Sequence, residues 1–411
     1  MSHNSGKCHK IFFALRARQM SKRIFENVGK GQQFERVYLY NCSYNYMKNL
    51  SVDFANSPTK LDRRLLPTVE MWLLVSSAGI TLGPSPVALY TSSLCLQHDT
   101  GQKLGKPHPE QPARLSRLLE ALYSEWVPAY GELLQIREPE ADVTEEQLLR
   151  VHEQRYLDRV RGAFTNSRRP PGVRVNLDPD TVICPTSQPA IERAAGLVVA
   201  AVDDIFSQSA TDGALRRAFV MVRPPGHHAE SSRAGGFCVY NNVLVGVAHA
   251  QAVHGIERVA ILDFDVHHGN GGENISFCDP TRLYASSHEA GNYACPGTTY
   301  RCDGLHGQIL TCPLPPGGGS DDFRRVWRDQ LLPAVSAFEP DALFVSAGFD
   351  AHVDDPLASL CVGEDDFEWI TRELAALRGG CLPIISVLEG GYNVDALVKS
   401  VHAHVHGLIH S

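Results

Sequence analysis

The amino-acid sequence predicts an α/β fold: a single large domain with a mostly parallel central sheet flanked by helices on both faces. Short apolar runs rich in β-branched residues alternate with helical patterns from residue 87 onward. Continuous apolar strands separated by helices are typical of a parallel sheet that is covered on both faces. The chain has 411 residues, of which 43% are hydrophobic, so it can bury the core that such a sheet requires.

The predicted elements follow one another in a regular order. Strands are expected where apolar residues run without interruption, and helices where they recur at helical spacing. The predicted strands are residues 219–222, 259–262, 283–285, 342–345 and 382–388. The predicted helices are residues 243–253, 323–338, 365–377 and 394–408. Polar motifs come directly after several of these strands, where open α/β sheets bind their ligands.

Composition excludes some classes of protein. The net charge of −8 argues against a nucleic-acid binder that reads phosphates through a basic face, but it leaves cationic substrates open. Eleven cysteines without a Cys-x-x-Cys pair predict a reducing, intracellular compartment rather than a disulfide framework. The longest early apolar run, residues 71–82, is too short for a membrane span.

The amino-terminal part differs from the rest. We expect an extension over residues 1–85, either a targeting segment or disordered, and a folded domain over residues 86–411 that carries every motif. Residues 1–25 contain six Lys or Arg and no acidic residue. This composition is typical of a mitochondrial or plastid transit peptide. A disordered basic tail, with a protein of the nucleus or cytoplasm, is the alternative.

Three acidic or imidazole side chains predict a metal site. Asp265 and His267 lie on either side of Val266 after a predicted strand, and residues i and i+2 of an extended chain face the same way. Asp350 follows another predicted strand and offers a third ligand. Two carboxylates and one imidazole suit a catalytic zinc ion, which keeps one position open. A buried hydrogen-bonded pair is the alternative for Asp265 and His267.

A histidine pair predicts proton transfer. His227 and His228 stand in a Pro-Pro-Gly turn, and a histidine with a near-neutral pKa can both take and give a proton. Asp263 is the expected carboxylate partner of His227, and Asn270 the neutral partner of His228. Tyr392 follows a Gly-Gly turn and could donate its hydroxyl to an oxyanion.

Other histidines are assigned structural roles. His268 and His288 are expected to be structural because a core histidine is commoner than a ligand. The last histidines of the chain, His402, His404, His406 and His410, resemble a metal cluster by count. His402, His406 and His410 fall along one face of a terminal helix, and we interpret that face as solvated rather than metal-binding.

Residues from about 87 to 411 resemble zinc-dependent histone deacetylases, specifically class II and bacterial-type members of the arginase/deacetylase superfamily. The matching stretches appear in the family's order and are 108–115, 223–230, 236–242, 263–271, 313–317, 346–357 and 388–393. The resemblance implies an arginase/deacetylase-like fold and removal of acetyl or related acyl groups from lysine side chains. It therefore makes residues 86–411 a catalytic domain.

The resemblance also implies roles for individual residues. It implies one zinc ion on Asp265, His267 and Asp350, and it makes His228 the general base and acid. His227 becomes the electrostatic companion of His228, and Tyr392 polarises the carbonyl. Further implied positions are the channel residues Gly236 and Phe237 and a potassium site near Asp263, Asp265, His267 and Ser286.

Two departures from the family's pattern concern the substrate channel. Cys295 stands where an aromatic residue is usual, which weakens one predicted wall. Leu357 matches a rim position where polyamine-selective relatives carry an acid. An apolar residue there favours an acetylated protein or peptide over a small acetylated amine.

Three other functions remain open at this point. An acetylpolyamine or small-molecule deacetylase would use the same chemistry. A catalytically inactive scaffold that binds acetyl-lysine is less consistent with the intact Tyr392 and His228. A binuclear manganese hydrolase would need carboxylates at Gly269 and Gly348, which have no side chain.

Overall fold

The computed structural model describes residues 84–103, 105–207, 215–294 and 301–411, together with two short strands near the amino terminus. Those two strands, Arg36–Leu39 and Leu50–Asp53, pair antiparallel. Contacts divide the chain into Met1–Ile80 and Thr81–Ser411. Residues 1–35, which contain the predicted targeting segment, lie outside the described residues, as does Cys295.

The second unit contains a nine-stranded sheet. Its strands are β1 Val87–Tyr90, β2 Leu134–Arg137, β3 Arg217–Val220, β4 Val259–Asp263, β5 Arg282–Glu289, β6 Arg301–Asp303, β7 Ile309–Leu314, β8 Ala342–Ala347 and β9 Ile384–Leu388. Their order across the sheet is β6-β7-β5-β4-β8-β9-β3-β1-β2, and every neighbouring pair is parallel except β6 with β7. Two further hairpins pair Gln102–Lys103 with Lys106–Pro107 and Val175–Asn176 with Val182–Ile183.

Eleven α-helices occur in the described part of this unit. They are α1 Ala113–Ala121, α2 Val127–Tyr130, α3 Glu145–Leu149, α4 Gln154–Ser167, α5 Ser187–Phe206, α6 Asn242–His254, α7 Asn270–Ser276, α8 Ser320–Val326, α9 Leu332–Phe338, α10 Glu364–Ala376 and α11 Val394–Ile409. A search of the described helices finds none with the length and apolar character of a membrane span.

The helices cover both faces of the sheet. Ser386 in β9 hydrogen-bonds to His404 of α11, so residue 386 faces that helix. Phe344 in β8, which is in register with Ile385, lies beside Gly246 of α6. Successive strand residues point to opposite faces, so α6 and α11 pack on opposite sides. The predicted fold class is confirmed.

Continuous apolar strands lie at the centre of the core, and apolar helix residues pack against them. All residues of β1, β3, β4, β8 and β9 are buried, as a parallel sheet covered on two faces requires. Observed helices and strands differ from the predicted bounds by a few residues at their ends. The predicted helix 323–338 is interrupted by a π-helical turn, Trp327–Leu331, between α8 and α9.

Candidate active site

Polar side chains follow four neighbouring strands, β4, β8, β9 and β3, and lie at one edge of the sheet. Asp265 and His267 follow β4, and Asp350 follows β8. Tyr392 follows β9, and the His227–His228 pair follows β3. Because these strands are parallel and adjacent, their carboxyl ends meet at one place. The sheet order therefore brings together residues that are far apart in the sequence.

Asp265, His267 and Asp350 form a group whose ligand atoms lie within 4.8 Å of one another, and all three residues are buried. The Nδ1 atom of His267 is 3.1 Å from Oδ1 of Asp265 and 3.0 Å from Oδ2 of Asp350. Backbone amides orient the carboxylates: Gly390 donates to Asp265 and Val266 donates to Asp350. These three side chains could hold a metal ion, and their donor set suits zinc.

Two glycines leave room for this group. A Cβ atom on Gly390 would lie 2.0 Å from Oδ2 of Asp350, and one on Gly348 would lie 1.9 Å from Oδ2 of Asp265. Both distances are far below van der Waals contact. The backbone can approach the carboxylates closely only because these positions lack side chains.

The charges of the ligand group depend on one another. Burial, reinforced by the nearby Asp265 carboxylate, raises the pKa of Asp350 to about 7. Burial opposes ionisation of His267 as well, but Asp350 and Asp265 raise the pKa of His267 well above its usual value. A concentrated negative charge in a buried place attracts a cation, so the electrostatics fit a metal ion.

His227 lies between two carboxylates. Its Nδ1 atom is 3.2 Å from Oδ2 of Asp263, and its Nε2 atom is 3.7 Å from Oδ2 of Asp265. Burial alone would lower the pKa of His227, but Asp265 and Asp263 raise that pKa to about 10. The Tyr284 hydroxyl donates to the same Asp263 oxygen at 2.8 Å. The predicted His227–Asp263 contact is present.

His228 has the opposite electrostatic environment. Burial lowers the pKa of His228 well below its usual value, and the neighbouring His227 and His267 lower it further. Its Nδ1 atom is 2.8 Å from Oδ1 of Asn270, as the sequence predicted. The rings of His227 and His228 are 4.0 Å apart, yet their surroundings shift the two pKa values in opposite directions.

Tyr392 lies near His267 and Phe237. Its ring centroid is 6.4 Å from that of His267, and burial raises the pKa of its hydroxyl well above the usual value. The phenol therefore stays protonated and can donate a hydrogen bond. The backbone amide of Tyr392 donates to Asp355 at 2.7 Å, which fixes the turn after β9.

The predicted channel residues surround the same place. A Cβ on Gly236 would lie 2.3 Å from Cδ2 of His228, so only glycine fits against that ring. Phe237 is held in a left-handed conformation (φ 69°), which a non-glycine residue rarely adopts, and its ring is 5.7 Å from that of Tyr392. Leu357 is half-buried, and its carbonyl accepts from Asn292 at 3.3 Å.

Sequence reasoning missed Tyr293, which packs edge-on against His228 with ring centroids 4.9 Å apart. Its Cε1 atom lies 2.9 Å from the Cβ position of Gly236. A tyrosine two residues before Cys295 was the available signal.

Other predicted positions also lie around this site. Ser286 in β5 is in register with Asp263 in β4, so these two residues of the predicted potassium site lie on neighbouring strands. His268 and His288 are buried with ring centroids 5.0 Å apart. A Cβ on Gly269 would lie 2.2 Å from Oδ2 of Asp263, so a carboxylate there would collide with the site.

A second group with metal-binding residue types lies on α5 and α6. The Nε2 atoms of His249 and His254 are 2.8 and 2.7 Å from the same oxygen of Asp203. Arg150 lies 3.0 Å from Nδ1 of His249 and can only donate, so the His249 proton must be on Nε2. The contacts are those of a hydrogen-bond network in which His249 donates to Asp203.

The interpretation of the carboxyl-terminal histidines needs a correction. His404 is buried between Thr371 and Ser386, with hydrogen bonds of 2.6 and 2.8 Å. His402 stacks on Trp126 with a ring separation of 5.5 Å. His402, His406 and His410, on the face predicted to be solvated, are each partly exposed, so that face is partly covered and only His404 is buried.

Comparisons with known proteins agree with this geometry. The family described as "Histone deacetylase domain" matches residues 108–408. "Histone deacetylase 14, chloroplastic" of Arabidopsis thaliana is 33% identical over 91% of this chain and 84% of its own length. "Histone deacetylase-like amidohydrolase" of Pseudomonas aeruginosa is 35% identical over 74% of this chain and 81% of its own.

A solved structure and a longer relative complete the comparison. The crystal structure of the HDA15 HD domain is 32% identical, covers 79% of this chain and 88% of its own, and has a TM-score of 0.70. The match to "Histone deacetylase 6" of Caenorhabditis elegans covers only 31% of that protein. The parallel sheet and the polar side chains at the carboxyl ends of its strands define the class of protein, which is a hydrolase. The chain belongs to the histone deacetylase family.

Proposed function

We propose that this protein is a zinc-dependent amidohydrolase that removes acetyl or related acyl groups from lysine side chains of proteins. The observation that carries the proposal is the buried group of Asp265, His267 and Asp350, with the His228 and Tyr392 rings 5.9 and 6.4 Å from the His267 ring. An amide hydrolase needs an electrophilic centre, a group that moves a proton and a donor for the oxyanion. All three types of group meet at this edge of the sheet.

Asp265, His267 and Asp350 would hold the ion. When bound, zinc would supply a Lewis acid that polarises the acyl carbonyl and makes water more acidic. The close approach of the backbone at Gly390 and Gly348 would help to fix the two carboxylates that hold the ion. Asp265 is further fixed by the amide of His267 at 2.9 Å.

His228 would move the proton. A depressed pKa keeps its ring neutral, so one nitrogen has a free lone pair for the proton of the attacking water. The same ring then gives that proton to the nitrogen of the leaving amine. His227, whose pKa is raised to about 10, keeps a positive charge that stabilises negative charge near the reacting carbonyl.

Tyr392 would donate its hydroxyl to the oxygen that becomes negative during attack. Burial keeps the hydroxyl protonated, and a donor in a dry site stabilises an oxyanion more strongly than one in water. The Phe237 ring beside it, with the Tyr293 ring near His228, would hold the apolar stem of an acyl-lysine. A potassium ion near Asp263, Asp265, His267 and Ser286 stays a prediction.

The test is acetate release from an acetyl-lysine peptide and from an acetylpolyamine, measured side by side with zinc and with a chelator. We expect chelator-sensitive release from the peptide, because Leu357 at the rim offers no charge to a distant ammonium group. Release from the polyamine alone would favour the small-molecule alternative. Release from neither substrate by zinc-loaded protein would contradict the proposal and favour the inactive scaffold.

Asp265→Ala should lose both zinc and activity, because the ligand group then has only two members. Asp158→Ala is the matched control, since that carboxylate is 57% exposed on α4, a helix that follows none of these strands. Metal content by atomic absorption and acetate release check both variants. Full activity of Asp265→Ala after confirmed metal loss would contradict the metal mechanism.

We propose a plastid as the compartment, with residues 1–85 as an extension that contains the targeting signal. The acid-free basic composition of residues 1–25 supports this, as does the word "chloroplastic" in the name of the Arabidopsis relative. Fusion of residues 1–85 to a fluorescent protein tests it in leaf cells. A nuclear or cytoplasmic signal would contradict the targeting proposal.

A further inference from the structure

Glu230 connects to the proposed proton-transfer group through Asn270. The Nδ2 atom of Asn270 donates to Oε1 of Glu230 at 2.7 Å. The Oδ1 atom of the same amide is 2.8 Å from Nδ1 of His228. A weaker contact runs from Nδ2 to the His228 carbonyl at 3.4 Å. All three contacts agree on one orientation of the Asn270 amide.

Packing cannot select this orientation. Rotation of an asparagine amide by 180° exchanges an oxygen for a nitrogen of nearly the same size, so only hydrogen-bond partners distinguish the two forms. In the observed form Asn270 presents an acceptor to His228, and the His228 proton is held on Nδ1. In the rotated form Asn270 would present N–H, and the His228 proton would move to Nε2. That tautomer has no lone pair on Nε2.

Glu230 can only accept when ionised, so it selects the observed form. Its carboxylate draws the Nδ2 end of the amide and leaves the oxygen for His228. Both residues line an open cavity of about 500 Å³ beside the site, so the carboxylate has access to water and stays outside the reacting region. Its side chain is 19% exposed and also accepts from Arg233.

We propose that Glu230 is a positioning residue that fixes the His228 tautomer by fixing the Asn270 amide. This rests on the proposed function, in which the free nitrogen of His228 takes the proton. Glu230 does not touch the substrate in this proposal. Its effect passes through two hydrogen bonds, from carboxylate to amide and from amide to imidazole.

Glu230 and Asn270 are a matched pair. An aspartate at position 270 would accept from His228 in either orientation, so it would need no orienting partner. It would, however, place a second carboxylate at the 2.7 Å distance now bridged by a hydrogen bond to Glu230. Like charges at that distance repel strongly in a partly buried place. Asn270→Asp should therefore lower kcat when residue 230 is glutamate and raise kcat when residue 230 is leucine.

The first test removes the acceptor. Glu230→Leu should lower kcat about 10-fold or more, up to the about 10²–10⁴-fold that a general base contributes, with KM and zinc content unchanged. Glu230→Gln should restore most of kcat, because its amide oxygen still accepts from Nδ2. Arg233→Gln is the matched control: it removes the surface ion pair and leaves the link to Asn270, so its activity should equal that of wild type.

The second test changes Asn270 alone and together with Glu230. Asn270→Asp should lower kcat when Glu230 is present, and the double variant Glu230→Leu/Asn270→Asp should be more active than either single variant. A residue that only supports the loop would give additive losses. Additive losses, or a Glu230→Leu variant with wild-type kcat, would overturn the proposal.

A spectroscopic measurement separates this inference from the proposed function. Protonated and unprotonated imidazole nitrogens have well-separated ¹⁵N resonances, and comparison with His228→Ala assigns those of His228. The zinc-loaded protein should show a proton on Nδ1, and Glu230→Leu should show a proton partly on Nε2. This readout needs no activity, so it tests the role of Glu230 even if the protein deacetylates nothing. An unchanged tautomer in Glu230→Leu would overturn the inference.

Discussion

At the scale of single residues, adjacent histidines differ because their partners differ. His227 faces Asp263 and Asp265, and its pKa is raised to about 10. His228 faces the neutral Asn270 amide, and burial lowers its pKa. The surroundings therefore favour a charged ring at His227 and a neutral ring at His228, as the proposed roles require. Their roles could not be assigned from the His-His pair alone, because each depends on a contact more than 30 residues away.

Tyr392→Phe is the prediction at this scale. It should keep zinc and lose roughly 10²-fold or more in kcat, because one oxyanion donor is removed without changing the ligand group. Metal analysis and steady-state kinetics check it. A Tyr123→Phe variant, which changes a half-exposed tyrosine on the surface, is the control. An unchanged kcat in Tyr392→Phe would exclude this hydroxyl from the mechanism.

At the scale of elements, the turns after β8 and β9 decide how close the backbone comes to the ligand group. Gly348 and Gly390 each stand where a Cβ would overlap a carboxylate oxygen. The amide of Gly390 also donates to Asp265 at 2.8 Å. Because Gly390 has no side chain, its backbone can approach the carboxylates closely and also donate a hydrogen bond to one of them.

Gly390→Ala should lose zinc binding, because a methyl group 2.0 Å from Oδ2 of Asp350 must displace that ligand. Gly162→Ala is the matched control: this exposed position in α4 has nothing within 4 Å of the added methyl. That control should bind zinc normally and gain about 0.5–1 kcal/mol of stability from helix propensity. Titration of the zinc-free proteins with zinc checks both variants. Normal zinc affinity in Gly390→Ala would contradict the role of this turn.

At the scale of the whole molecule, the sheet order assembles the site and the buried polar groups link its layers. His404 on α11 bonds to Thr371 on α10 and to Ser386 in β9. Burial lowers the pKa of His404 to about 3, so the ring stays neutral in the folded protein. In the unfolded chain a histidine binds a proton below about pH 6.5.

The unfolding free energy should therefore fall on acidification from pH 7 to pH 5. The unfolded state binds more protons over this range, so His404 alone should remove about 2 kcal/mol. His404→Gln should show a pH dependence smaller by about that amount, and His306→Gln, at an exposed position, should match wild type. Urea unfolding at pH 7 and pH 5 measures the change in unfolding free energy of each protein. Metal release affects wild type and His404→Gln alike, so it cancels when the two changes are compared. Equal pH dependence in His404→Gln and wild type would show that His404 does not carry this effect.

The sequence by itself determined the fold class, because uninterrupted apolar strands cannot be stable unless helices cover both faces of a parallel sheet. It also indicated local geometry: Asp265 and His267 face the same way because they stand two residues apart in extended chain. The motif Arg223-Pro-Pro-Gly-His-His-Ala-Glu230 carried the family resemblance. These features depend on neighbouring residues, so they can be read without a structure.

Only the tertiary structure decided how the separate motifs meet. Asp350 is beside Asp265 because β4 pairs with β8, and strand pairing over 80 residues is set by packing of the whole sheet. The link from Glu230 through Asn270 to His228 joins the ends of β3 and β4, which are three strands apart in the sheet. Tyr293 reaches His228 through a loop whose path no periodicity describes. Contacts of this kind arise from long-range packing, which local sequence patterns do not contain.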